Sequence, residues 1–429
     1  MYIEHLAIHN LRSFRKQEID FVVPDLHASE GAILPNVNLI LGTNGTGKTT
    51  ILRALALAPL ATVLEKAGFV PYRLIRIART TGPTKGAIVR TRLRAGRFEA
   101  VGRKPVTADS EVTIAREEDY EVLGPGLLDE SPRLLLRKRL LFHDKSPAFF
   151  LAGYGATRRV ESLGRFQPEA RARMRRRYER VVSLFEDHVA LRPLSSWLPS
   201  IKRTKRFKEI SALLNKLLEP HARFTGKISQ GEVLFEHGGI DLPYAALSDG
   251  FRSFIGWISD LLFHLNEVTP SSRRLDLVEG VVLVDEVDLL LHPEWQRTVV
   301  PTIARALPKL QFFFTTHSPI VAGSLSSECI RVVRTNDRGE SEVHRYEERI
   351  HGLNADQILI SPYFGLESSR APDAVAQLAS LSRRAAAGDR DAAREFALEL
   401  IGDIPAETDE KPSPRRRSAS RKRPAATKK

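Results

Sequence analysis

The sequence predicts an α/β fold in which a parallel core sheet surrounds a phosphate-binding loop. Val37–Leu41 is a short apolar strand that leads directly into a glycine-rich turn, and Lys48–Leu57 then has the pattern of a helix. Val281–Val284 and Gln311–Thr315 are buried-type runs, which are typical of parallel strands covered on both faces. A glycine-rich turn between such a strand and a helix is a good anion site.

Composition indicates a globular intracellular chain. The chain has 429 residues, of which 42% are hydrophobic, and its one cysteine, Cys329, excludes an intramolecular disulfide. The N-terminus lacks the features of a signal peptide, and no run of about 20 apolar residues is present. We therefore expect a cytoplasmic location and no contact with a membrane. Of the net charge of +13, nine positive charges lie in residues 411–429, so the remaining residues carry only +4.

The segment Gly42–Thr49 matches the phosphate-loop pattern G-x-x-x-x-G-K-[ST] in full. Its glycines allow the backbone N–H groups to surround phosphates, Lys48 is predicted to reach the β- and γ-phosphates, and Thr49 is predicted to bind Mg²⁺. The alternative is a chance glycine-rich turn, which the flanking strand and helix disfavour. The residues predicted to contact ATP here are Gly42, Asn44, Gly45, Gly47, Lys48, Thr49 and Thr50.

Two carboxylates follow the apolar run at 281–284. Asp285 is predicted to bind Mg²⁺ together with Thr49, and Glu286 is predicted to act as the general base or to hold the attacking water. The alternative is that both carboxylates cap the next helix. The complete phosphate loop elsewhere in the chain favours the catalytic interpretation.

Two further segments complete the set of candidate site residues. Ser248 is a natural N-cap for an amphipathic helix over 246–265, and Gly250 permits close approach of a backbone or a phosphate. His317 follows the second buried strand, where it could hydrogen-bond a γ-phosphate or order Glu286. Alone, these would be an ordinary helix start and a structural histidine. With Lys48 and Glu286, His317 completes the predicted catalytic set.

In this order the motifs resemble the ATP-binding-cassette ATPases, and more closely the RecF/SMC-like branch of AAA-family ATPases. Ile8–Phe14 is similar to the first strand and turn of that branch, and Asp285–Pro293 resembles the Asp-Glu-x-Asp-x-x-Leu-His-Pro run of OLD-like ATPases. Leu247–Ser253 is similar to their signature sequence. Gly153–Arg158 and Ala355–Gly365 resemble members from bacterial anti-phage operons, such as Septu-type systems. The resemblance covers about residues 1–366.

The sequence also departs from the pattern of this family. Asp249 stands where transporters usually have glycine, Arg252 lies near their glutamine, and Leu290 stands where relatives often have histidine. No clear Q-loop glutamine is present. Tyr154–Arg158 occupies about that place, and Gln167 is a possible substitute.

The resemblance implies an ABC-ATPase head with an N-terminal mixed β-subdomain and a helical signature subdomain. The expected divisions are 1–166 for the first part of the ATPase lobe with a β insertion, and 167–265 for the helical lobe. Residues 266–404 complete the ATPase lobe, and 405–429 form a disordered basic tail that would attract polyanions. Two heads would meet face to face, with Ser248 and Gly250 of one chain at the γ-phosphate held by Lys48 of the other.

Several functions are compatible with these motifs. The favoured one is a DNA-associated ATPase in anti-phage defence or DNA repair that controls a separate effector, such as a nuclease subunit. The basic segments 171–180 and 202–208 could follow a phosphate backbone, or they could be solvated helix faces. A slow-turnover, ATP-gated scaffold or sensor is the alternative. A transporter subunit is disfavoured by Asp249 and by the run at His292-Pro293.

Overall fold

The computed structural model of the chain describes residues 1–27, 34–78, 82–96, 99, 106–124, 127–128, 146–160 and 174–401. It contains two compact units, Met1–Leu366 and Glu367–Lys429. The basic tail over 405–429, the Q-loop candidate Gln167 and the first basic residues of 171–180 lie outside the described residues.

The first unit contains the strands and helices that position the predicted motifs. Its strands are β1 (Tyr2–Leu11), β2 (Phe14–Asp20), β3 (Val37–Gly42), β4 (Ile77–Ala78), β5 (Gly82–Pro83), β6 (Gly86–Arg94), β7 (Thr107–Glu117), β8 (Tyr120–Leu123), β9 (Leu127–Leu128), β10 (Leu151–Tyr154), β11 (Arg223–Ser229), β12 (Glu232–His237), β13 (Ile240–Pro243), β14 (Gly280–Val284), β15 (Leu310–Thr316), β16 (Ile330–Thr335) and β17 (Ser341–His344). Its helices are α1 (Pro24–His27), α2 (Lys48–Lys66), α3 (Arg176–Glu179), α4 (Val182–Phe185), α5 (Lys205–Leu218), α6 (Asp249–Val268), α7 (Pro293–Gln296), α8 (Val299–Ala306), α9 (Pro319–Ala322) and α10 (Ala355–Leu359).

The core sheet has the strand order β10-β14-β15-β3-β16-β17. The first five strands are parallel, and β17 pairs antiparallel with β16. Side chains alternate across this sheet, so Phe312 and Phe314 pack in one hydrophobic core while Phe313 packs in another. The predicted parallel sheet with both faces covered is confirmed.

The N-terminal β-subdomain is a second sheet of order β2-β1-β6-β7-β8, with β9 paired to β7. Its described pairings are all antiparallel. Helix α2 contacts β1, β6 and β7 of this sheet and also β3, β10 and β15 of the core sheet. Because the helix is apolar on all sides and almost fully buried up to Leu64, packing on both sheets fixes the position at which it begins.

The region from 167 to 265 contains more than the predicted helices. Helices α5 and α6 are present, but β11, β12 and β13 form a three-stranded antiparallel sheet between them. Phe224, Val233 and Phe235 are buried in the main hydrophobic core. Gly231 and Gly239 lie in the two turns with positive φ, as tight hairpin turns require.

The second unit, described by itself, contains helices α11 (Pro372–Ala386) and α12 (Arg390–Ile401), which contact each other. Arg384 forms an ion pair with Asp389 in the turn between them. Across the described part of both units, every helix is too short or too polar to cross a membrane.

Candidate functional site: a cleft around the phosphate loop

The phosphate loop joins β3 to α2, and its last glycine shapes the turn. Gly47 has a φ of 103°, in the left-handed region that favours glycine, and a Cβ there would lie 2.7 Å from the Phe14 ring. Lys48 begins the helix, and its Nζ donates hydrogen bonds to the carbonyl oxygens of Gly42 at 2.9 Å and Thr43 at 3.1 Å. The ammonium group therefore lies inside the loop, at a helix N-terminus that favours an anion.

The environment of Lys48 also favours an anion. Burial lowers the pKa of its ammonium group below the ordinary value, although the nearby carboxylates of Asp285, Glu286 and Asp288 oppose this effect. The residue is only 6% exposed. A buried cation whose hydrogen bonds go to neutral carbonyls gains more from a charge-assisted bond to an anionic oxygen.

Thr49 and Asp285 are in direct contact although 236 residues separate them in sequence. Thr49 Oγ1 donates a hydrogen bond of 2.7 Å to Asp285 Oδ2, which joins the phosphate loop to the end of β14. Thr315 Oγ1 donates to the other carboxylate oxygen at 2.5 Å, and the Asp285 N–H donates to the Tyr154 carbonyl at 2.9 Å. The two side chains thus present adjacent oxygen atoms of the kind that Mg²⁺ prefers.

Glu286 lies in the same cleft as the phosphate loop. Its backbone N–H donates to Thr315 Oγ1 at 2.7 Å, and its φ of 48° is in the left-handed region. The cleft has a volume of about 300 Å³. We call it the P-loop cleft; it is lined by Arg12, Ser13, Asn44, Gly45, Gly47, Lys48, Thr49, Thr50 and Glu286.

His317 lines a neighbouring cavity of about 400 Å³ together with Gly42 and Thr43. Burial and the nearby Lys48 charge lower the pKa of the imidazole below its ordinary value, so it is neutral at pH 7. Its Nε2 is buried and has no hydrogen-bond partner within the described part of the chain. The structure therefore brings Lys48, Glu286 and His317 together, with an imidazole nitrogen that remains able to bond a ligand.

Ser248 and Gly250 begin helix α6, and the described lining of the P-loop cleft contains neither. Ser248 is the N-cap residue, but its exposed side chain makes no capping hydrogen bond. Gly250 is buried, and a Cβ there would lie 2.3 Å from the Leu290 carbonyl oxygen, so the backbone that it approaches is this chain's own. Arg252 and Asp249, two departures from the family pattern, form an ion pair with each other.

The sequence reasoning missed two arginines in this region. Arg12 lines the P-loop cleft from the turn between β1 and β2, and Arg158 donates a hydrogen bond to the Glu286 carbonyl. Both belong to segments whose sequence signal is only a resemblance to a family. Each arginine lies shortly after the end of a strand, and this position alone only weakly indicates a residue of the phosphate site.

Two of the described arginines in the basic segment at 171–180 are buried. Arg177 is 1% exposed and donates to the carbonyl oxygens of Ala148 and Phe149, and Arg180 is 2% exposed above the Phe150 ring. Both predicted alternatives, a phosphate-binding track and a solvated helix face, are therefore wrong for these two arginines. Short helices and bends replace the expected continuous helix and turn them inward.

Comparison with known proteins supports an assignment for the chain. Residues 37–322 match the family model described as "AAA domain, putative AbiEii toxin, Type IV TA system", and residues 5–66 match a second one described as "AAA domain". Among curated relatives, Septu protein PtuA of Bacillus mycoides (strain KBAB4) is 25% identical over 85% of this chain and 45% of its own length. The "Retron Vc95 probable ATPase" of Vibrio cholerae serotype O1 biovar El Tor is 36% identical over 23% of this chain and 19% of its own length.

The chain thus spans about half the length of the Septu relative and 19% of the length of the retron ATPase. Among solved structures, an SMC head bound to the C-terminal winged-helix domain of ScpA is 16% identical. The match covers 81% of this chain and 98% of that one, with a TM-score of 0.48.

The family model covers well over half of the chain, including both the phosphate loop and Asp285. The chain belongs to this AAA domain family and is an AAA-family ATPase.

Proposed function

We propose that this chain binds and hydrolyses ATP in the bacterial cytoplasm as a nucleotide-gated ATPase of anti-phage defence. The contact between Thr49 and Asp285 is the observation that carries this proposal, because it joins the phosphate loop to the carboxylate end of β14. Glu286 lines the same cleft. A phosphate binder without turnover would not need a second carboxylate at that position.

The residues present fit ATP with Mg²⁺. Lys48 and the N–H groups of the loop would hold the β- and γ-phosphates, and Thr49 and Asp285 would hold the ion. When bound, Mg²⁺ neutralises charge on the phosphate oxygens. Glu286 would orient the attacking water and take up its proton, and neutral His317 would hydrogen-bond the γ-phosphate through Nε2.

We propose that two copies of the chain close around two ATP molecules. Ser248 supports this arrangement because its hydroxyl is exposed at the N-terminus of a 20-residue helix and is not used as a cap. That helix end would favour a γ-phosphate held by the partner's loop. Gly250 would then contribute mainly by keeping the helix against Leu290, with its backbone near the phosphate.

The names of the relatives support a place in defence. Two of the matched relatives are a Septu protein and a retron ATPase. We propose that the chain acts with a separate effector, such as a nuclease subunit, and its similarity to a Septu protein supports this proposal. ATP binding would then change the contact between the two heads and so control that effector.

Among the described residues, the structure supports a proposal of DNA binding for the segment 202–208. Lys202, Arg203, Lys205 and Lys208 are exposed around the N-terminus of α5, where positive charge opposes the helix dipole. Helix stability therefore does not account for them. Arg206 is different, because it donates to Glu209 and to three backbone carbonyls. Replacing the four exposed residues by alanine should weaken duplex binding and reduce its salt dependence.

Phosphate release by the purified chain tests the proposed activity. Wild-type protein should hydrolyse ATP with Mg²⁺, whereas Glu286→Gln should bind ATP without turnover and accumulate as a dimer on size-exclusion chromatography. Absence of turnover in the wild type would favour a scaffold or sensor. Hydrolysis by the wild type together with a monomeric, ATP-bound Glu286→Gln protein would contradict the face-to-face arrangement.

A further inference from the structure

Arg158 is a buried arginine directly behind the loop that carries the carboxylates. It follows β10, lies four residues after the strand end at Tyr154, and is 4% exposed. Its Nη2 donates a hydrogen bond of 2.6 Å to the Glu286 carbonyl oxygen. The Nη2 end of the guanidinium group is therefore hydrogen-bonded to the backbone of Glu286, the proposed general base.

The other nitrogen atoms of the guanidinium group do not hold the Glu286 backbone. Its Nε and Nη1 are buried and have no hydrogen-bond partner among the residues described. Burial lowers the pKa of Arg158 to about 10, while the charges of Asp285, Asp288 and Glu286 oppose that effect. The side chain therefore remains a cation at neutral pH, surrounded by carboxylates that it partly neutralises.

The backbone of Glu286 needs to be held in place. Its φ of 48° is uncommon for a residue other than glycine and persists when the surroundings over-determine it. Thr315 Oγ1 accepts a hydrogen bond from the Glu286 N–H, and Arg158 donates to the Glu286 carbonyl. These two contacts hold the residue from both sides, in the conformation that directs it into the P-loop cleft.

We propose that Arg158 is a positioning residue for ATP hydrolysis, which sets the backbone of Glu286 and thereby the carboxylate that orients the attacking water. This inference rests on the proposed function. Because Arg158 is not part of the described lining of the P-loop cleft, it acts through Glu286 and not through the bound nucleotide. Its loss should lower kcat and leave the affinity for ATP unchanged.

The experiment compares Arg158→Gln, Arg158→Lys and the control Arg159→Gln, in which the exposed neighbouring arginine is replaced. Phosphate release gives kcat and KM, and fluorescence of a labelled ATP analogue gives the dissociation constant. Arg158→Gln should lower kcat about ten- to hundredfold, with affinity within about twofold of wild type. Arg158→Lys keeps a charge and a donor and should recover part of kcat, while Arg159→Gln should match wild type.

An unchanged kcat in Arg158→Gln, or an equal loss of nucleotide affinity, would overturn the inference. If Arg158→Gln does not fold, Arg158→Lys decides: a lower kcat at unchanged affinity supports the inference, and a wild-type kcat contradicts it. A wild-type protein without turnover would overturn the proposed function and this inference together. Failure of the inference alone leaves wild-type hydrolysis intact, so the two failures are distinguishable.

Discussion

Lys48 lies where a positive charge is poorly solvated and lacks an ionic hydrogen bond of its own. Its Nζ bonds to two carbonyl oxygens, while the nearest carboxylates act on it through space. Burial would normally favour the neutral amine, but an arriving phosphate supplies the missing anion and would raise the pKa of the ammonium group again. The Lys48 ammonium group is therefore stabilised when a phosphate binds in the loop, and this stabilisation contributes to the affinity for ATP.

Lys48→Ala should abolish tight binding of ATP, because the phosphates lose the cation inside the loop. Each charge-assisted hydrogen bond contributes roughly 1.5–3 kcal/mol, so affinity should fall at least about tenfold. Equilibrium fluorescence with a labelled ATP analogue measures the effect. Lys66→Ala, which removes an exposed lysine in the last turn of the same helix, is the control. Equal affinity of the two variants would remove Lys48 from the proposed site.

The separation of Thr49 from Asp285 shows which parts of the site a sequence can predict. Strands β3 and β14 end at the same edge of a parallel sheet, so the residues after them could be expected to meet. Arg158 could not be predicted in the same way. It reaches the Glu286 carbonyl, and a hydrogen bond to backbone leaves no pattern in the partner's sequence.

Buried amide side chains join the two sheets of the first unit. Gln311, in β15, is fully buried; its Oε1 accepts a hydrogen bond from the Ile3 N–H, and its Nε2 donates to the Ile3 and Val22 carbonyl oxygens, all at 2.8 Å. Asn38 in β3 likewise bonds both polar groups of the Val22 backbone. The N-terminal sheet is therefore tied to the core sheet by polar contacts inside the core.

Gln311→Met should destabilise the first unit with little change in volume. The substitution removes the hydrogen bonds that Gln311 makes to the buried N–H and C=O groups of Ile3, at a cost of about 1–3 kcal/mol each, so we expect a loss of about 2–6 kcal/mol. Urea unfolding followed by tryptophan fluorescence measures it, since Trp197, Trp257 and Trp295 all lie in this unit. Gln377→Met, on an exposed face of α11, is the control. Equal midpoints for the two variants would show that the contact contributes nothing.

The strands of the core sheet were predicted because short, continuous apolar runs that end in a turn are typical of buried strands. The sheet at β11–β13 was not predicted. Only Phe224, Val233 and Phe235 of its residues are buried, and the segment before it is rich in basic residues typical of exposed helices. The inward orientation of Arg177 and Arg180 was missed for a related reason. The sequence shows that these residues are positively charged. It does not show that the carbonyl oxygens and the aromatic ring that they contact lie in the segment 148–150.

In the proposed face-to-face arrangement, two copies of the chain together complete each ATP site. Lys48, Asp285 and Glu286 meet within one chain, whereas Ser248 is exposed and lies outside the described lining of the P-loop cleft. A symmetric pair of heads would place the same surface of each chain against the other and form two equivalent sites. Each ATP would then be held by the loop of one chain and the α6 N-terminus of its partner.

Recovery of ATP turnover in a mixture of two inactive variants tests this arrangement most directly. Ser248→Arg should bind ATP but not hydrolyse it, and Lys48→Ala should not bind it tightly. When the two proteins are mixed, one of the two sites in each mixed pair combines the intact loop of the first with the intact Ser248 of the second. We predict that phosphate release recovers in proportion to the mixed pairs formed. Absence of turnover in a mixture with verified subunit exchange, or full activity of Ser248→Arg alone, would contradict the face-to-face arrangement.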